Sequence, residues 1–240
     1  MNVRERPVST LTRHHLRRLK DYWRGASWPC LDSLELDLLA AGLVQRELRI
    51  AGGLECITVT PEGVAALGAQ LLRNRQALHA HEDLITGLAD WLCNTQGRIC
   101  FTGLSLRAQL DGRWRIARPD VYSLRNSPME EYHWPAVHEI KVRRADLLGE
   151  LRRPDKTAAY AELAGEVWFV FPSGIARAEE IPEGLGVIQH ALAGGFTVMR
   201  AAARRRRILK VSEWLELAKA TPVRASDEGM QAPLTSASDG

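Results

Sequence analysis

The stretch Ala136-Val137-His138-Glu139-Ile140-Lys141 ends an apolar run on an acid and a lysine two positions apart, and Arg118-Pro119-Asp120 stands one extended segment upstream. Alternate residues of a β-strand share a face, so Glu139 and Lys141 point one way and Ile140 points back into the core. Two carboxylates on neighbouring strands, with a lysine one side chain beyond the second, are the smallest set that can hold a hard divalent cation and aim a water at a phosphodiester. In this reading Asp120 and Glu139 bind Mg²⁺ or Mn²⁺ with the carbonyl of Ile140, and Lys141 reaches the attacking water or the phosphate. The bland alternative is a solvated strand end carrying an i, i+2 ion pair. The elements around the tripeptide decide between the two.

His81-Glu82-Asp83 opens an amphipathic helix with Leu84, Ile85, Leu88, Trp91 and Leu92 on one side. Residues 98–110 read as a strand, Asp111-Gly112 as a hairpin turn, and residues 113–124 as a returning strand that carries Asp120. A polar loop with two prolines leads to the third strand, residues 136–141. Residues 144–164 are helical with an interruption near Pro154, and Glu166–Pro172 is a short buried strand. A further strand is expected over Phe196–Arg200.

Basic residues cluster along this region. Arg113, Arg115 and Arg118 accompany the Asp120 strand, and Arg143, Arg144, Arg152 and Arg153 flank the following helix, placed to neutralise phosphates on either side of a scissile bond. The run Arg204–Arg207 reads as a solvated charged segment, because no aromatic residue is interleaved with it for base stacking. The histidines form no HExxH or HxxEH pattern.

Helix, three strands, helix, strand, with a Pro-Asp step and a Glu-x-Lys tripeptide, resembles the core of the PD-(D/E)xK nucleases. The pattern VRRADLLGELRRPDKTAAYAELAGEVWFVFP followed by PEGLGVI is similar to the C-terminal half of the MmcB-type DNA repair proteins, a branch of that superfamily. The resemblance covers about residues 98–200. It implies an α/β fold with a restriction-endonuclease-like αβββαβ core around a central mixed sheet, and Mg²⁺- or Mn²⁺-dependent hydrolysis of DNA in repair or in processing of foreign DNA. It also implies that Asp120, Glu139 and Lys141 are the site, with Lys156 and Tyr160 projecting toward it. The alternative for those two is a surface lysine and a half-buried core tyrosine. An acid on the first core helix completes the metal shell in many members of the superfamily. Glu82, ahead of Asp83, is the candidate here, although an acid in a first turn also serves the helix dipole.

The N-terminal third has a different character. Thr10 or Thr12 can cap a helix running to about Trp23, residues 31–44 form a second helix stopped at Gly42, and two strands flank Ala51-Gly52-Gly53. Thr60-Pro61-Glu62 then opens another helix that joins or abuts the one containing Glu82, and such a helical linker would orient the two domains. Helix, helix, two-stranded wing, helix resembles winged helix regulators, with LLAAGLVQRE, the hairpin and VTPEGVAAL carrying the likeness. The helix before the wing bears Asp32, Glu35 and Asp37 and no Lys or Arg, so acids would face phosphates if it entered a groove. The module therefore either contacts DNA through the basic helix Arg13–Lys20 or serves a protein partner or self-association.

The expected organisation is a winged helix-like domain over 1–76, a nuclease-like domain over 77–212, and a helix end with a disordered tail over 213–240. The rival function is a non-catalytic DNA-binding regulator that keeps the nuclease-like fold as a binding surface. A third reading is a structural α/β module whose acids are only solvated.

At 240 residues and a net charge of +3, overall charge does not argue for nucleic acid, and only local clustering can. Cys30, Cys56, Cys93 and Cys100 form no CxxC pair, which fits a reducing cytoplasm and excludes the usual structural zinc patterns. No apolar run reaches membrane-spanning length, so no membrane partner is expected.

Overall fold

A computed structural model describes residues 11–25, 28–49 and 54–224 of the chain. The chain divides into two compact units, Met1–Gln76 and Ala77–Gly240. The possible cap at Thr10, the Ala51-Gly52-Gly53 turn and the tail beyond residue 224 lie outside the described residues.

In the first unit, helix α1 (Arg13–Trp23) starts at Thr12, whose hydroxyl accepts from the His15 N–H while its own N–H donates to the His15 ring at 3.1 Å. Helix α2 (Ser33–Ala40) is followed by the antiparallel strands β1 (Val44–Arg49) and β2 (Leu54–Val59). Helix α3 (Pro61–Asn94) begins at a proline, and the Thr60 hydroxyl accepts from the Gly63 N–H at 3.1 Å and donates to the Gly42 carbonyl at 2.7 Å. Leu19, Tyr22, Leu38, Leu43, Val44 and Ile57 form the core of this unit. The two halves expected to join or abut are one 34-residue helix, within which the boundary between the units falls.

Asp32, Glu35 and Asp37 each have a partner within the unit. Asp32 caps the helix by accepting from the Glu35 N–H at 2.9 Å and pairs with Arg18 at 2.9 Å. Asp37 meets His15 at 3.1 Å. Glu35 is wholly buried and accepts from Tyr22 at 2.8 Å, from Arg46 at 3.0 Å and from the Cys30 N–H. Glu35 is thus withdrawn from the surface, while the Asp32 and Asp37 side chains stay 40 % and 49 % exposed beside Arg18 and His15.

In the second unit, six strands form a mixed sheet in the order β10-β9-β8-β7-β6-β3. The strands are β3 (Arg98–Thr102), β6 (Val121–Arg125), β7 (Ala136–Ile140), β8 (Glu166–Pro172), β9 (Gly186–His190) and β10 (Phe196–Arg200), with β4 (Leu106–Leu110) and β5 (Arg113–Ala117) pairing as a separate ribbon. The pairs β7/β8 and β8/β9 are parallel and the other sheet pairs antiparallel. Helices α4 (Arg144–Leu151) and α5 (Pro154–Leu163) link β7 to β8, and α6 (Val211–Lys219) closes the described chain.

The expected long strands 98–110 and 113–124 each break in two. Gly103 turns the first with φ +69°, and Pro119, which has no N–H to donate to a ladder, interrupts the second. Asp120 therefore precedes β6 instead of lying within a strand. The Asp111-Gly112 turn forms as expected, with both residues at positive φ. Strand β9 has no counterpart in the sequence reading because its apolar core is only Val187-Ile188. Gly186 opens it because a Cβ there would collide with the Trp168 ring.

Leu84, Leu88 and Leu92 of α3 pack on one sheet face with Val121, Ile140, Val170 and Ile188. Tyr160 and Leu163 of α5 pack on the other with Tyr122, Val137 and Val167, and Leu147 of α4 packs there with Phe169 and Phe171. Among the described residues no helix is long and apolar enough to cross a membrane.

The Glu35 cluster yields a stability prediction. Glu35→Ala leaves the Tyr22 hydroxyl, Arg46 and backbone N–H groups without their acceptor, and should cost the first unit about 2–4 kcal/mol. Urea unfolding of the full chain followed by tryptophan fluorescence measures it, and a loss under about 1 kcal/mol would contradict the assignment.

Candidate functional site

The β6/β7 register pairs Val121 with His138, so the backbone step before β6 lies beside the end of β7. Asp120 uses this position to accept the Ile140 N–H on Oδ2 at 2.7 Å. Glu139 faces α5 and is 2 % exposed, while Ile140 is buried against α3. The two carboxylates thus flank one strand end, and the Glu139 and Lys141 side chains share a face.

Glu139 is surrounded by donors. Oε1 accepts from Lys156 at 2.7 Å and from Lys141, and Oε2 accepts from the Tyr160 hydroxyl at 2.7 Å. Glu150 of α4 joins the cluster, 2.9 Å from Lys156 and 3.8 Å from Lys141. Two carboxylates and two ammonium groups balance in a site closed by the sheet on one side and by α4 and α5 on the other. Burial alone would lower the Lys156 pKa, but the charges of Glu139 and Glu150 raise it and keep the side chain cationic. Burial and then the Glu139 charge push the Tyr160 hydroxyl far up, so it remains a neutral donor.

Asp120 has a partner that the sequence reading passed over. His81 of α3 brings Nε2 to 3.5 Å from Asp120 Oδ2. Its pKa is raised first by interaction with Asp120, against the lowering effect of burial. Burial would raise Asp120, yet His81, the Ile140 N–H and the Lys141 charge bring it below the usual carboxylate range. No sequence pattern distinguished His81, since it depends on a contact 39 positions away along the chain. Glu150 was missed for a similar reason: α4 shows a surface-like charge pattern until it is folded onto β7.

Glu82 lines the same cleft as His81 and Asp120, about 580 Å³ in volume, but its side chain is 64 % exposed and its near contact is His81 at 3.7 Å. Arg115, Arg118, Arg152, Arg153 and Lys156 line a second groove of about 820 Å³. Arg115 there meets Asp155 at 3.3 Å, and Arg118 meets Ser105 at 3.2 Å. Arg144 turns away to Glu180 and the Ile175 carbonyl, whereas half-buried Arg143 directly precedes α4. Arg118 lines both the acidic cleft and the basic groove, so the Arg118-Pro119-Asp120 step is their common wall.

Among the described residues no group of three His, Cys, Asp or Glu side chains stands ready to hold a metal ion. The strand end offers the carboxylates of Asp120 and Glu139, with His81 Nε2 3.5 Å from Asp120 and both Glu139 oxygens already accepting from Lys141, Lys156 and Tyr160. Carboxylate oxygens suit a hard cation such as Mg²⁺ or Mn²⁺, which would have to displace a lysine from Glu139. Comparison with protein-family models, curated proteins and solved structures finds no match to the chain.

The hydrogen bonds to Glu139 can be weighed individually. Tyr160→Phe removes one donor from a buried carboxylate and should cost about 1.5–3 kcal/mol in denaturant unfolding. No measurable change would mean that Oε2 is satisfied in another way.

Proposed function

We propose that the chain is a metal-dependent nuclease that hydrolyses DNA phosphodiester bonds, with a PD-(D/E)xK, restriction-endonuclease-like core in the second unit and a winged helix-like first unit. The observation that carries this reading is the shared wall: one three-residue step presents Asp120 to the acidic cleft while Arg118 faces both it and the basic groove. A polyanion lying along Arg115, Arg118, Arg152, Arg153 and Lys156 would bring a phosphate to the carboxylates.

Asp120, Glu139 and the Ile140 carbonyl are the groups that would hold Mg²⁺ or Mn²⁺, with Glu82 able to reach the cleft from α3. The bound ion would supply charge stabilisation at the reacting phosphate and a more acidic water. Lys141 and Lys156 neutralise Glu139 in the isolated protein, and Lys141 is positioned to turn toward a phosphate or water when Glu139 serves another cation. Tyr160 stays protonated and fixes the Glu139 carboxylate. His81 orients Asp120. In the first unit Glu35 is buried while Asp32 and Asp37 stay half-exposed beside Arg18 and His15, so the basic helix α1 would make any phosphate contacts.

Purified protein should cleave plasmid or single-stranded DNA with Mg²⁺ or Mn²⁺, and Asp120→Ala or Lys141→Ala should each lower the rate at least about 100-fold while DNA binding persists. Cleavage that survives both substitutions would reject the site. Binding without cleavage by the unaltered chain would instead support the regulator reading.

A further inference from the structure

The Arg204–Arg207 run reads in sequence as a charged segment with no aromatic residue near it, but the fold supplies the aromatics from elsewhere. The loop between β6 and β7 carries Trp134, and the Arg204 guanidinium carbon lies 3.8 Å from the centre of its ring. Arg125, the last residue of β6, lies 4.7 Å from the same centre. Tyr132 stands edge-on to Trp134 at 6.2 Å and is 42 % exposed. Arg206, 74 % exposed at its side chain, extends the patch and lies 3.8 Å from Glu131. Glu166 holds Arg204 at 2.6 Å, so Arg125 and Arg206 carry most of the charge open to a ligand.

The backbone of this patch is held under strain. Trp134 has φ +38°, a region bulky side chains avoid, and the Arg98 guanidinium donates to its carbonyl at 2.6 Å. That contact fixes an aromatic ring at the surface between two cations, where it adds little to the sheet core. Guanidinium groups stacked on Trp134 beside the exposed Tyr132 ring suit a single strand: the cations meet phosphates and Tyr132 offers a face to a base. A duplex offers its bases only as edges in the grooves, so such rings favour unpaired bases.

We propose that Arg125, Tyr132, Trp134, Arg204 and Arg206 form a binding surface for single-stranded nucleic acid. It lies at the opposite end of β6 and β7 from Asp120 and Glu139, roughly 15 Å away at the rise of a β-strand. The proposal goes beyond the cleavage reading and requires neither a metal nor catalysis.

Fluorescence anisotropy with a labelled oligothymidylate of about 15 nucleotides, in chelator and with the full chain, tests it. Tyr132→Ala and Arg206→Glu alter exposed side chains and should each weaken binding by about 5- to 50-fold. Arg206→Glu should also flatten the salt dependence. Thermal melting of each variant confirms that the fold is kept. Unchanged affinity in both patch variants, or equally tight binding of the matching duplex, would overturn the proposal. Failure to cleave DNA would bear on the active-site reading and not on this one.

Discussion

The second unit depends on a carboxylate that burial alone would not tolerate. Glu139 stands at the end of an otherwise apolar strand, 2 % exposed, in a place where an unpaired charge would cost several kcal/mol. Lys141 follows from its own strand, Lys156 and Tyr160 come from α5, and Glu150 comes from α4 to balance the second lysine. Two helices must therefore dock on β7 in a set register before the strand end is electrically satisfied. Replacing a buried ion cluster with packed apolar side chains is often neutral or stabilising, so fold stability alone does not call for this one.

The same strand end joins two surfaces of opposite character. Asp120 binds the backbone of Ile140, which fixes the carboxylate against β7 independently of side-chain rotamers. From that anchor Arg118 reaches the basic groove on one side, and His81 approaches across the acidic cleft on the other. The break at Pro119 makes this possible, because an uninterrupted strand from 113 to 124 would have placed β5 in the main sheet and closed the groove. The ribbon β4/β5 instead packs on α5 and brings Arg115 opposite Arg152 and Arg153.

What could be read from the sequence was the chemistry that is local in the chain. The alternation of Glu139, Ile140 and Lys141, the Asp111-Gly112 turn, the Thr60-Pro61 helix start and the stop near Pro154 are each set by neighbouring residues, and each appears where the pattern placed it. The breaks at Gly103 and Pro119 were visible as residues but not as a change of sheet, since the choice of partner strand is a tertiary matter. His81, Glu150 and Trp134 could not be recognised because each matters only through a distant contact. The burial of Glu35 escaped for the same reason, since its charge shows in composition and its partners Tyr22 and Arg46 do not.

The proposed function makes Asp120 and Glu139 cation ligands rather than members of an internal ion-pair network. Crystals grown with Mn²⁺ and measured at an anomalous wavelength test it most directly. The expected result is a single strong peak bonded to both carboxylates and to the Ile140 carbonyl, with one lysine displaced from Glu139. A fully loaded crystal with no peak there, and both lysines still on Glu139, would contradict it.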